Sequence, residues 1–495
     1  GLTWTLGAAC TAGNFVTLNV SAGTLNGGKA LTVSNDAVLI HTTGTLTLSN
    51  LTYSSTAAST LGSGTVSLSG VLAVSDGSLT QTGSSVDNVG SISVTGGTLS
   101  WDSGSLTAGG PITQTGGTLA FGAKTVTATT MAVSTSGSTT LNLGSAGITL
   151  SSVPNSIVAT TISNTASTIT LNGVGNLTLD PSHSIGHLVV GADTTLLSSH
   201  AAVAAVVNFT VNSSKTFTAA TNSFRVSGNA TLDGGYSETD GSLVVDGTLS
   251  VTTGSFLSTG AGGLTVTGAA TNAGTVTGGS GAVTFSSTYG QTAGSLTGGA
   301  GLVTFTGTAT HSGGLITSGS GGLLFMDAYN GSGTASLVGS SSATPTMEFR
   351  NNVTFLDFTR DKSTLLFTGN AAQDFDTNAK DLPAVAINKG GGWVRLVNHN
   401  ASQSASSGAL TFSCTGATSL ILNGLTWTLG AACTAGNFVT LNVSAGTLNG
   451  GKALTVSNDA VLIHTTGTLT LSNLTYSSTA ASTLGSGTVS LSGVL

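Results

Sequence analysis

The chain has 495 residues, of which 72 are glycine and only 6% are charged, where an ordinary soluble domain carries about 25%. Helical surfaces need Lys, Glu and Arg, so this composition excludes a helical protein. Recurrent Val, Leu, Ile and Phe within a 39% hydrophobic share exclude simple disorder.

A net charge of −7 with no basic stripe argues against a nucleic-acid partner. The longest apolar run, 201–207, falls far short of the roughly 20 residues of a membrane span. The chain opens at Gly1 without an initiator Met, and we expect it to be a piece or processed form of something longer.

Residues 1–72 recur residue for residue as 424–495, a shift of 423. Fold constraints alone do not preserve surface Ser and Thr to this degree, so the sequence reads as one unit of a tandem array plus the start of the next.

A finer repeat runs inside the unit. Gly263-Leu264-Thr265-Val266 is followed by Ala282-Val283-Thr284-Phe285, then Leu302-Val303-Thr304-Phe305, then Gly322-Leu323-Leu324-Phe325. A second short segment sits between them: Thr275-Val276, Ser295-Leu296 and Leu315-Ile316. Upstream, Phe224-Arg225-Val226 and Leu243-Val244-Val245 fit the same spacing. Segments this short, alternating in polarity and separated by Gly, Ser, Asn and Asp, are strands and turns.

A period near 20 with such strands predicts an all-β, elongated parallel β-solenoid, or β-helix, with two or three strands per coil. Alternate side chains then line a narrow core while Thr and Ser face water. At that coil length 423 residues make roughly 21 coils and about 100 Å of rod. We read 1–345 as regular coils, 346–400 as charge-rich and less regular coils of the same solenoid, and 401–495 as further coils that include the repeated segment.

A longer pattern lies around Phe375, Leu382-Pro383-Ala384-Val385-Ala386-Ile387-Asn388-Lys389-Gly390-Gly391-Gly392, Trp393-Val394-Arg395-Leu396 and Gly408-Ala409-Leu410-Thr411-Phe412. In style it resembles the β-solenoid repeats of bacterial secreted and surface proteins, the filamentous-haemagglutinin-like and autotransporter-passenger adhesins. That resemblance implies export, a right-handed rod and work outside the cell or at its surface.

The candidate site residues are few. Twelve charged residues cluster between 348 and 395, among them Glu348, Arg350, Asp357, Arg360, Asp361, Lys362, Asp374, Asp376, Lys380 and Asp381. They form either a contact patch for a ligand or neighbouring filament, or a set of solvated, mutually paired charges. An Asp374-Phe375-Asp376 spacing on a strand would put two carboxyls on one face at about the separation inverting glycosidases use. No further acids, His or Arg cluster around them as a cleft requires.

Cys414 and Cys433, separated by the length of one predicted coil, are expected to stack in adjacent coils, as a disulfide or as two small core residues. The seven His are scattered, and no CxxC or calcium-repeat pattern is present, so neither metal nor cofactor is expected. Thr265/Thr267, Thr284/Ser286 and Thr304/Thr306 make a ladder too short for a dedicated ice-binding face.

These readings converge on a non-enzymatic structural segment of an extracellular filament or surface fibre. Its expected partner is itself, by end-to-end continuation and lateral bundling. The alternatives are a solenoid adhesin that binds glycan or another cell and, behind it, a polysaccharide-acting enzyme.

Overall fold

The computed structural model describes residues 2–134, 137–163, 166–179, 184–198, 204–340, 344–355, 357–359, 362–403 and 409–495. Among them there is no helix, and the fold is a parallel β-solenoid with coils of about 20 residues. By contacts the chain divides into two compact units, Gly1–Gly241 and Ser242–Leu495.

In the first unit one inward column runs Leu31, Leu51, Leu72, Ile92, Ile112 and Met131, each paired in parallel with the next. All six side chains are buried. The period follows from alternation: in Leu31–Asn35 the pattern is Leu-Thr-Val-Ser-Asn, with Leu31 and Val33 inside and Thr32 turned outward. Strands this short are not stable alone. Stacking on similar neighbours supplies the missing core.

The second unit holds the repeat seen from residue 262 onward. Leu264, Val283, Val303 and Leu323 are successive register partners, as are Val266, Phe285, Phe305 and Phe325. The second segment follows, with Thr275 paired to Ser295 and Ser295 to Leu315. A third strand, Ala270–Asn272, completes the coil.

The column of aromatics continues through Phe349 and Phe367. Ring centroids are 5.5, 4.7, 5.0 and 6.0 Å apart along the series Phe285, Phe305, Phe325, Phe349, Phe367. The first three pairs are stacked and the fourth is tilted at 32°. Each buried Phe contributes about 1.5–3 kcal/mol of transfer free energy.

Corners need glycine where the path turns with positive φ. Gly294 (φ 62°) and Gly314 (φ 81°) occupy equivalent corners. A Cβ on Gly294 would overlap the Gly274 carbonyl below it, and one on Gly314 would overlap that of Gly294.

Coil length is not constant. Leu323 pairs with Met347 and Val385 with Leu410, and both steps are longer than the regular one from Val303 to Leu323. The step from Met347 to Leu365 is shorter. The short step lies inside the charge-rich stretch and the two long ones overlap its ends, but a step as long also joins Ala132 to Ser156 in the first unit.

Candidate functional site

The charged cluster lies on strands and corners of the second unit. Arg360 and Asp361 are outside the described residues, and Lys362 is exposed. The others are largely engaged with each other. Arg350 Nε lies 2.7 Å from Glu348 Oε1, which also accepts from Thr368 Oγ1 at 2.7 Å. Lys380 Nζ is 2.7 Å from Asp357 Oδ1, and this contact holds the Asp357 carboxyl below its ordinary range. Asp381 makes a parallel bridge to Ser402.

Asp374 and Asp376 are the candidate carboxyl pair, and the geometry separates their roles. Asp374 faces outward and pairs in register with Arg395 of the next coil. Arg395 Nε and Nη2 meet its two oxygens at 2.8 and 3.0 Å. That contact raises the guanidinium further above its already high range.

Asp376 is buried at the adjoining corner. Burial pushes its carboxyl up, but Asn398 Nδ2 at 2.8 Å, the Asn378 N–H at 3.0 Å and His399 Nδ1 at 2.7 Å outweigh it and hold the group low. Both oxygens of each acid are therefore occupied by neighbours in the chain, among them Arg395 and His399, which corrects the expectation that no Arg or His gathers around this pair; both come from the next coil, so sequence proximity did not show them. The exposed pairs of the cluster are solvated and add little to stability.

The expected Cys414–Cys433 stack is not formed. Cys10, Cys414 and Cys433 are free thiols. The reason is coil length: Ile387 pairs with Phe412 and Thr418 with Val439, and both steps are longer than the one from Cys414 to Cys433, which falls out of register. Cys433 pairs with Leu454 of the following coil, and burial pushes its thiol up to about 12. Cys414 Sγ donates to the Ile387 carbonyl at 3.5 Å.

Several buried polar groups escaped the sequence reading. In the second unit Asn272, Gln291 and His311 form one inward column. Tyr289 Oη donates to Gln291 Oε1 at 2.7 Å, Gln291 Nε2 donates to the Leu315 carbonyl at 2.9 Å, and Asn272 Nδ2 to that of Ser295 at 3.1 Å. His311 lies 2.9 Å from Tyr329 Oη and 3.0 Å from the Gly314 carbonyl. Burial lowers its basicity.

Lys389, also buried, gives its Nζ to Gln373 Oε1 at 2.7 Å and to the Ala371 and Thr368 carbonyls at 2.8 and 3.3 Å. Burial lowers its pKa to about 8. Paired polar groups of this kind fix register, because a one-coil slip would strand them unsatisfied.

In the first unit Lys124 and Asp87 are both buried, with Nζ 2.8 Å from Oδ2. The strand Ala123–Ala128 alternates with Lys124, Val126 and Ala128 inward. That register was readable from Val126. The reversed strand at 85–89, with Ser85 and Asp87 inside and Val86 exposed, was not.

Among the described residues no three His, Cys, Asp or Glu are grouped to hold a metal ion, and no helix is long and apolar enough to cross a membrane. His183 and His200 lie outside the described residues. No protein-family model, curated protein or solved structure matches the chain. Its function has to be read from fold and chemistry.

Proposed function

We propose that the chain is a structural segment of an extracellular filament or surface fibre built from tandem β-solenoid periods, each running the distance from Gly1 to its copy Gly424. The observation that carries this reading is the joint between one period and the next, at Asn423 and Gly424. Trp427, just inside the repeated segment, pairs in register with Ala401 before it and Leu448 after it. It is fully buried, and its Nε1 donates to Gln403 Oε1 at 3.2 Å. The Thr426 N–H is held by Asn400 Oδ1 at 2.8 Å. The joint is an ordinary coil interface.

Pairing within the two copies supports the same reading. Thr3 pairs with Thr24 and Thr426 with Thr447; Cys10 with Leu31 and Cys433 with Leu454; Leu31 with Leu51 and Leu454 with Leu474. Identical residues thus make identical ladders, and a further period needs no interface of a new kind. The scarcity of charge and the Thr- and Ser-rich outer rows suit a solvated scaffold with no substrate to hold.

The test is the mass of the chain from native material, fully denatured and reduced. A mass many times the 48.0 kDa of this sequence is expected. A native polypeptide of that size alone would overturn the tandem reading.

A further inference from the structure

The buried lysine of the first unit sits in an arrangement that a simple ion pair does not require. Ser85, Gly104 and Lys124 are consecutive register partners in three successive coils. The middle one has no side chain. A Cβ on Gly104 would overlap the Ser85 carbonyl oxygen, and the space left free lets the Lys124 side chain cross its neighbouring coil and reach the one beyond. There Nζ lies 2.8 Å from Asp87 Oδ2, 2.6 Å from Ser85 Oγ, 2.9 Å from Gln81 Oε1, 3.1 Å from the Ser103 carbonyl and 3.4 Å from that of Ser85.

The two carboxyl oxygens of Asp87 differ. Oδ1 accepts from the Val66 backbone N–H at 3.1 Å and from Gln81 Nε2 at 3.2 Å. Oδ2 faces the amine and accepts from Ser85 Oγ at 2.7 Å. Lys124, Asp87, Gln81 and Ser85 are all buried.

From this geometry we propose that Lys124 and Asp87 condense to an isopeptide bond that ties coils across the intervening one. Transfer of one proton from the Lys124 ammonium to Asp87 Oδ2, 2.8 Å away, leaves an amine beside a carboxylic acid, and the freed Nζ lone pair attacks Asp87 Cγ. Negative charge develops on Oδ1, where two N–H donors already point. Oδ2 departs as water with the proton it already holds and a second one from Nζ, passed directly or through the Ser85 hydroxyl, which is hydrogen-bonded to Oδ2 and lies 2.6 Å from Nζ.

One C–N bond forms and one C–O bond breaks; amine and carboxylic acid become amide and water, and no oxidant or reductant is needed. Holding the two groups in contact in a dry site replaces an improbable encounter by a local one. A buried ion pair gains little over its desolvation cost, whereas the amide leaves no charge in the core.

The experiment is intact-mass and tryptic analysis of the full chain. Between Lys29 and Lys215 the only tryptic site is Lys124. An acylated Lys124 is not cut, so a single 30–215 fragment lighter by one water is expected in place of 30–124 and 125–215. Lys124→Arg and Asp87→Ala chains should show the full mass of their own sequences and cleavage at position 124.

The unaltered chain decides the matter even if both variants fail to fold. Full sequence mass with cleavage after Lys124 would overturn the proposal. So would a lost water accompanied by normal cleavage there, which would place the dehydration elsewhere.

Discussion

Phe305 and Phe325 lie one coil apart with ring centroids 4.7 Å from each other and planes 4° from parallel. Neither ring is exposed, and the contact repeats above with Phe349 at 5.0 Å. An aromatic column is what a solenoid makes of a residue recurring once per coil at an inward position.

Shortening that column in its middle should be costly. Phe325→Ala removes the ring between two stacked partners, and a loss of about 3–5 kcal/mol is expected, as for other buried Phe truncations. Urea denaturation of the whole chain would read it as a lowered midpoint. Phe325→Leu should recover part of the loss.

Corner glycines should be less forgiving than their size suggests. Gly294→Ala places a methyl group against the Gly274 carbonyl at a φ of 62°. The left-handed backbone alone costs about 1–2 kcal/mol for a residue with Cβ, and the overlap adds to it. Ala at Gly290, a strand position with only a distant neighbour, should change stability far less. Comparing the two midpoints checks the claim.

Lys389 gives stability a definite pH dependence. Its folded pKa of about 8 lies below the 10.5 of an unfolded lysine. Between those values the unfolded state binds more protons, so the contribution to stability rises with pH and is at its lowest below about 8. Cys433 acts oppositely, because its thiol is pushed from 9.0 up to about 12 and stability is lost as pH rises through that range. Unfolding free energy should therefore climb between pH 8 and 9, and Lys389→Met should remove that climb. A flat wild-type profile over this interval would contradict the assignment.

Surface charge pairs should matter little. Asp374→Asn leaves Arg395 exposed to water and is expected to leave the unfolding midpoint nearly unchanged. Asp376→Asn should cost more, since Asp376 is buried and binds His399, Asn398 and the Asn378 N–H. The same denaturation series distinguishes them.

The coil pattern was legible because it is written twice, in the alternation of strands and in their recurrence once per coil. Leu264, Val283, Val303 and Leu323 fall in register where the spacing put them. The cysteines were misplaced because that spacing was carried into a region where the path lengthens, as between Ile387 and its partner Phe412. Loop length leaves no periodic signature.

The charged residues between 348 and 395 were read as a contact patch or as solvated pairs, which suits Asp374 and Arg395 but not the buried Asp376 and Lys389. Lys124 and Asp87 were not singled out, since their burial depends on a glycine in a different coil. Such a vacancy becomes visible only once the coils are aligned.

Gly104 has a consequence for how the stack holds together. In an ideal solenoid each coil interacts only with the coils on either side, so a defect is felt one step away and no further. Lys124 reaches Asp87 and Gln81 by passing the coil between. At that point the stack stops behaving like a chain of independent links and gains a rivet through three plates, so that opening the middle coil should require its neighbours to yield together.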